Sequence, residues 1–284
     1  MKLGAAVAVA VAFAAGLIVS RILLYALGVA VPRLSTQAPE SVAGFYLIAG
    51  STLLAGGLWP SARGIGGSRG IRWPALFFFI FSSFAVSVTI EASIFSSAAG
   101  ILLMTPVLLL PCIMLAGLMA MLPSAAPGSP APLGTAIGFF RARPWHEWTW
   151  RFLGAVVSFP LVYFIFGILV SPFVSAYYGR GVSGLVLPAP ILILKVQFLR
   201  AVIHLASALP IILLWRQDRR RLVVALMCAF FVCVFAYDFV LAIQVPVFLV
   251  VVHGIEILAD SLAYAWALVF FFCPERIQCT HPNV

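Results

Sequence analysis

Eight apolar runs, at residues 4–31, 42–59, 74–95, 101–122, 152–174, 189–215, 222–242 and 247–272, succeed one another with short polar breaks. Each is long enough to approach the roughly 30 Å hydrocarbon thickness of a bilayer at about 1.5 Å per helical residue. Such a chain has few folds open to it, because every backbone polar group inside lipid must be satisfied within its own segment. Composition agrees: 64% of the residues are hydrophobic and 9% charged, with a mean hydropathy of +1.15, whereas soluble domains carry roughly 25% charge. The sequence therefore predicts an all-α, polytopic membrane protein of about eight transmembrane helices, with no soluble domain of useful size.

The net charge of +9 reads as topology. Lysine and arginine flank the apolar runs and do not gather on a soluble face, so no nucleic-acid partner is expected. With the N-terminus in the cytoplasm, Lys2, Arg63, Arg69, Arg72, Arg141, Arg143, Arg151, Arg216, Arg219, Arg220, Arg221 and Arg276 all fall on the cytoplasmic side. Only Arg33 and Arg180 face outward, as the positive-inside rule requires. Both termini are then cytoplasmic, in a multi-pass protein of a bacterial-type inner membrane. Lys2 and the alanine-rich run behind it have the look of a signal peptide, but apolar sequence continues past Arg21 and favours an uncleaved first span. Cys112, Cys228, Cys233 and Cys273 lie in apolar runs and Cys279 in the tail, where no disulfide is expected. Cys273, Cys279 and His281 match no common zinc spacing.

The runs divide into two halves. Tyr25, Gly28 and Pro32 have counterparts in Phe164, Gly167 and Pro172, and Leu58 and Trp59 before basic residues match Leu214 and Trp215. Glu91 and Asp238 stand near the far ends of the third and seventh runs. These matches predict a first four-helix half at 1–122, a linker and interfacial segment at 123–151, and a second four-helix half with a short tail at 152–284. An even number of spans per half makes the repeats parallel, with sites expected at their interface. In residues 139–151, FFRARPWHEWTWR, Trp145, Trp148 and Trp150 alternate with arginines, which suggests a short surface helix after Pro144 at the headgroup level. Gly28, Gly167 and Gly254 are expected to be close-packing positions.

Ionisable residues inside apolar runs are costly, at roughly 2.5–3.5 kcal/mol for a centrally placed charge, and by default mark function. His253, Glu256 and Asp260 fall at i, i+3 and i+7, as do Gln197, Arg200 and His204. With Arg21, Glu91, Lys195 and Asp238 they form an expected buried polar cluster in the outer half of the membrane. Arg200 is expected to meet Glu256, His204 to lie near Asp260, and Arg21 or Lys195 to neutralise Glu91 or Asp238. The cluster would suit proton- or ion-linked transport or sensing of an unknown solute, since histidines and carboxylates can exchange protons.

Two other classes stay open. A membrane-embedded metal-dependent hydrolase would draw on His204, His253, Glu256 and Asp260 as ligands, although the H-x-x-E-x-x-x-D spacing differs from H-E-x-x-H. Haem held by His204 and His253 is a narrower variant. A non-catalytic subunit of a membrane complex would use the same ion pairs structurally, although interhelical hydrogen bonds average only about 0.6 kcal/mol. No cofactor is required by the sequence, with a divalent metal as the alternative. The bilayer, a solute or ion, and an oligomer with itself or with other subunits are the expected partners.

Overall fold

The computed structural model describes residues 3–29, 40–96, 101–124, 132–241 and 245–273. The described chain is helical: α1 (Leu3–Ala26), α2 (Glu40–Gly64), α3 (Arg69–Ile80), a π-helical turn (Phe81–Val86), α4 (Ser87–Phe95) and α5 (Met104–Met121) come first. They are followed by α6 (Pro132–Arg141), α7 (Trp145–Gly179), α8 (Pro190–Leu214), α9 (Arg219–Leu241) and α10 (Val247–Phe272). Seven helical segments are long and apolar enough to cross a membrane: Ala8–Ala26, Val42–Gly64, Arg69–Phe95, Ile101–Met121, Trp145–Gly179, Pro190–Leu214 and Val247–Phe272. The 23-residue α9 opens on Arg219, Arg220 and Arg221 and packs between α2 and α10.

Burial separates central from peripheral helices. Of the most apolar stretch, 61% is buried in Arg69–Phe95 and 56% in Pro190–Leu214, against 11% in Trp145–Gly179. Arg72 of α3, Ser87 and Thr89 of α4, and Gln197, Arg200, His204 and Ser207 of α8 are inside, whereas α7 turns Leu161, Ile168 and Leu169 outward, as suits a helix whose solvent is lipid. The packing pairs form two matching sets. α1 packs on α2 and α5 and α3 on α5, while α7 packs on α8 and α10 and α9 on α10. The sets join through α2 against α9 and α3 against α8.

The turns between α2 and α3 and between α8 and α9 lie at one end and have the same form 150 residues apart, with Gly64 and Leu214 closing one helix and Arg69 and Arg219 opening the next. They meet in an antiparallel bridge between Ile65 and Trp215, where Gly66 N–H donates to Leu214 O at 2.8 Å and Arg216 N–H to Gly64 O at 3.0 Å. A Cβ at Gly64 would overlap the Trp215 indole, so only glycine permits this approach. Arg72, 3% exposed, donates to Ala62 O at 2.5 Å and Leu122 O at 2.8 Å, capping the carboxyl ends of α2 and α5. A residue counted from sequence as a topology charge is thus also a buried tie.

Several sequence expectations change. α2 runs on through Pro60 to Gly64, so Leu58 and Trp59 do not close it and the matching helix end is at Gly64. Gly28 has open space around the position of a Cβ; its φ of 75° serves the turn that ends α1 at Ala26. Gly254, in contrast, lies against the Phe235 ring as a close-packing glycine should. No separate surface helix follows Pro144. Its extended conformation (φ −66°, ψ 151°) caps α7, because proline at a helix start loses no needed N–H. The short helix lies before it, as α6. Trp145 and Trp150 are exposed at 79% and 47%, but Trp148 is buried, donating to Phe140 O at 2.9 Å and stacking on Phe272. Glu147 stands between Arg143 at 3.7 Å and Arg151 at 3.9 Å, and Arg151 also donates to Phe271 O. Pro32, Arg33, Arg276, Cys279 and His281 lie outside the described residues, as do residues 125–131 of the linker.

Candidate functional site

On α8, Gln197, Arg200, His204 and Ser207 form one stripe, each no more than 2% exposed. It faces Ser83 in the π-helical turn and Ser87 and Glu91 on α4. The π turn is closed by Ser87 N–H donating five residues back to Ser82 O, and such turns recur where a helix must re-aim side chains. Here it sets Ser83 and Ser87 on the two nitrogens of the His204 ring, Ser87 Oγ at 2.9 Å from Nε2 and Ser83 Oγ at 3.3 Å from Nδ1.

The hydrogen positions follow from which groups can only donate or only accept. Ser207 donates to the carbonyl oxygen of His204 at 2.9 Å, so Ser83, 3.1 Å from Ser207 Oγ, donates to Ser207 and accepts from His204 Nδ1. Ser87 Oγ, which lies against Nε2, accepts from Arg200 Nε at 2.9 Å. At the outer end of this ladder Arg200 meets Glu91 Oε1 at 2.5 Å and Gln197 Oε1 at 2.9 Å, with its guanidinium 5.6 Å from the centre of the Phe159 ring.

Beyond the ladder lies a cavity of about 200 Å³ between α4, α7, α8, α9 and α10. Its polar wall comprises Glu91, Arg200 and His204 on one side and His253, Glu256 and Asp260 on the other, joined by Tyr163 and Tyr178. His253 Nδ1 is 2.9 Å from Glu256 Oε2, and the Tyr178 hydroxyl is 3.3 Å from His253 Nε2. Asp260 Oδ1 is buried and has no hydrogen-bond partner. The end of the cavity away from the arginine-rich turns is crossed by a bridge between Ser96 and Leu185, with Val186 N–H donating to Phe95 O at 2.9 Å and Phe95 packing on Tyr178.

Six expected residues, Glu91, Arg200, His204, His253, Glu256 and Asp260, thus line one space, and Gln197 braces it. Their pairing differs from expectation. Arg200 pairs with Glu91 and not with Glu256, because α8 turns its stripe to α4; Glu256 is served by His253 one turn away. His204 has serines on both ring nitrogens and lines the same cavity as Asp260. Lys195 is on the exposed face of α8, and Arg21 is half-buried on α1, away from the cavity lining. The side chain of Asp238 lies outside the described residues.

The metal set is not assembled. Among the described residues no three His, Cys, Asp or Glu side chains gather as a group able to hold a metal. Both nitrogens of His204 are engaged by serines and its ring lies between Phe159 and Phe230, at 4.9 and 5.2 Å. Residues unnoticed in the sequence are Ser83, Ser87, Tyr163 and Tyr178; the i, i+4, i+8 spacing of Ser83, Ser87 and Glu91 was the available signal. Ser93 donates to Ile90 O at 2.6 Å within its own helix and offers no nucleophile to the cavity. Against protein-family models, curated proteins and solved structures, the chain matches none.

Proposed function

We propose that this is a multi-pass protein of a bacterial-type inner membrane that links a proton or ion to the transport or sensing of a small solute held in the cavity. The apolar helices support the membrane setting, and the arginines crowding one end support placing that end in the cytoplasm. In this reading α9 is an eighth span, since residues 222–241 carry Asp238 as their one charge. The matching packing pairs and the 150-residue spacing of the two bridged turns support a parallel 4+4 duplication. The cavity would then lie between the halves, lined by α4 from the first and α7 to α10 from the second, where sites of parallel repeats are found.

One observation carries the ion-linked reading: Asp260 Oδ1 is buried at the cavity wall without a partner, while the one guanidinium there is committed to Glu91. A carboxylate oxygen buried without a direct partner is costly, and a proton or a cation that comes and goes would balance it. The test is a pH step applied to proteoliposomes adsorbed on a solid-supported membrane. Wild type should give a saturable charge displacement, and Asp260→Asn should reduce it at least tenfold. An equal displacement in the variant, or none from folded wild type, rejects the reading. The ladder of Ser83, Ser87, His204 and Ser207 favours a structural role for that part of the cluster, since each polar group in it has a partner. The exchangeable charge is thereby confined to the α10 side.

A further inference from the structure

We infer that the cavity binds a small organic cation, an ammonium head on a compact apolar body, with Asp260 and Glu256 facing the head. This rests on the transport or sensing reading of the same cavity and names its ligand class. Three carboxyls, Glu91, Glu256 and Asp260, line the space against one guanidinium and the imidazole of His253, which pairs with Glu256. Arg200 is 3% exposed at its side chain and already meets Glu91, Gln197 and Ser87. Glu256, 6% exposed, lies 2.9 Å from His253 Nδ1, and Asp260 Oδ1 has no hydrogen-bond partner. An anion would meet two carboxyls and no uncommitted guanidinium. A cation supplies the charge the wall lacks.

The rest of the wall selects among cations. Tyr163, Tyr178, Phe230 and Tyr264 present aromatic surface, with Leu249 and Ile257 beside them. Aromatic faces attract alkylammonium groups at low desolvation cost. A hard metal ion needs several oxygens to replace its water shell, and the cavity side chains do not gather into such a set among the described residues. The volume of about 200 Å³ falls below the roughly 300–1,000 Å³ of drug-sized sites, which limits the body to a small one. Because the bound ammonium takes over the charge balance from a proton, binding should release protons and tighten as pH rises.

The test uses the full chain purified in detergent and titrated calorimetrically with choline and with its neutral carbon isostere, 3,3-dimethylbutanol, at constant ionic strength. Saturable choline binding at least tenfold tighter than that of the isostere is expected, weakened at least tenfold by Asp260→Asn. Glu256→Gln serves the same purpose should the first variant not fold. Equal binding of the two compounds, loss of choline binding to competing sodium, or no binding of either choline or benzyltrimethylammonium overturns the inference. The pH-step displacement on the same preparation separates the two levels. Displacement without organic-cation binding rejects the ligand class and keeps ion linkage, whereas absence of both rejects the two together.

Discussion

Two helix crossings, α3 and α4 against α8 and α2 against α9, are filled by opposite chemistry. At the first, Glu91, Arg200, Ser87, His204, Ser83 and Ser207 run as a continuous polar ladder. At the second, the positions 150 residues before Gln197, Arg200, His204 and Ser207 are Leu47, Gly50, Leu54 and Gly57. There the backbones approach through glycine, and a Cβ at Gly57 would overlap Val232. The groove alongside is apolar, walled by Phe45, Ile48, Met227 and Phe231. The protein therefore contains its own control. A crossing of this kind can be held by small residues and dispersion, as is general in membranes, so the ladder is not needed merely to bring two helices together. Its structural role is more specific: it fixes Arg200 and Glu91 at the edge of the cavity.

The largest effect should come from breaking the ladder's ion pair. Arg200→Ala strands Glu91 beside the cavity and should cost about 3–5 kcal/mol, read from reversible unfolding in mixed micelles. Adding Glu91→Gln should recover a large part of that loss, and strictly additive losses would show that the pair does not couple. Next, Gly57→Val attacks the apolar crossing and should cost about 1–3 kcal/mol by overpacking, with partial rescue by Val232→Ala; an unchanged midpoint would mean that this crossing is not close-packed. Ser87→Ala removes the acceptor of Arg200 Nε and the partner of His204 Nε2 together, and about 1–3 kcal/mol is expected from the buried groups left unmatched. A changed Nε2 signal of His204 in ¹⁵N spectra of labelled histidine would confirm the mechanism. Smallest is Ser61→Ala, which removes a 3.1 Å bond to Ala225 O between α2 and α9 and should cost about 0.6 kcal/mol. A larger cost there than for Ser87→Ala would invert the comparison.

Much of the fold was legible because lipid makes hydrophobic length informative, and the charged residues of α8 and α10 were legible because charge in an apolar run needs a partner. Which partner was not legible. The i, i+3, i+7 spacing of Gln197, Arg200 and His204 defines a stripe on α8 but not the neighbour it faces, and the same spacing on α10 suggested a false match. The serines on the other side were hidden by their small size and by the π turn, which has no sequence signature of its own. Pro144 illustrates a different limit. A proline between aromatic segments marks a boundary, yet whether a short surface helix or the 35-residue α7 begins there depends on the packing of Trp148 against Phe272.

The buried guanidinium of Arg72 has a consequence for biogenesis. Its two acceptors, Ala62 O and Leu122 O, become available only when α2 and α5 have both been delivered to the membrane. Until then the side chain has no protein carbonyls to replace water, and α3 has reason to stay near the aqueous surface at its starting end. Arrival of α5 releases that constraint and lets the first four apolar segments lock as a unit. The Ile65–Trp215 bridge joins the turn after α2 to the turn after α8, and so it can form only once α8 has been made.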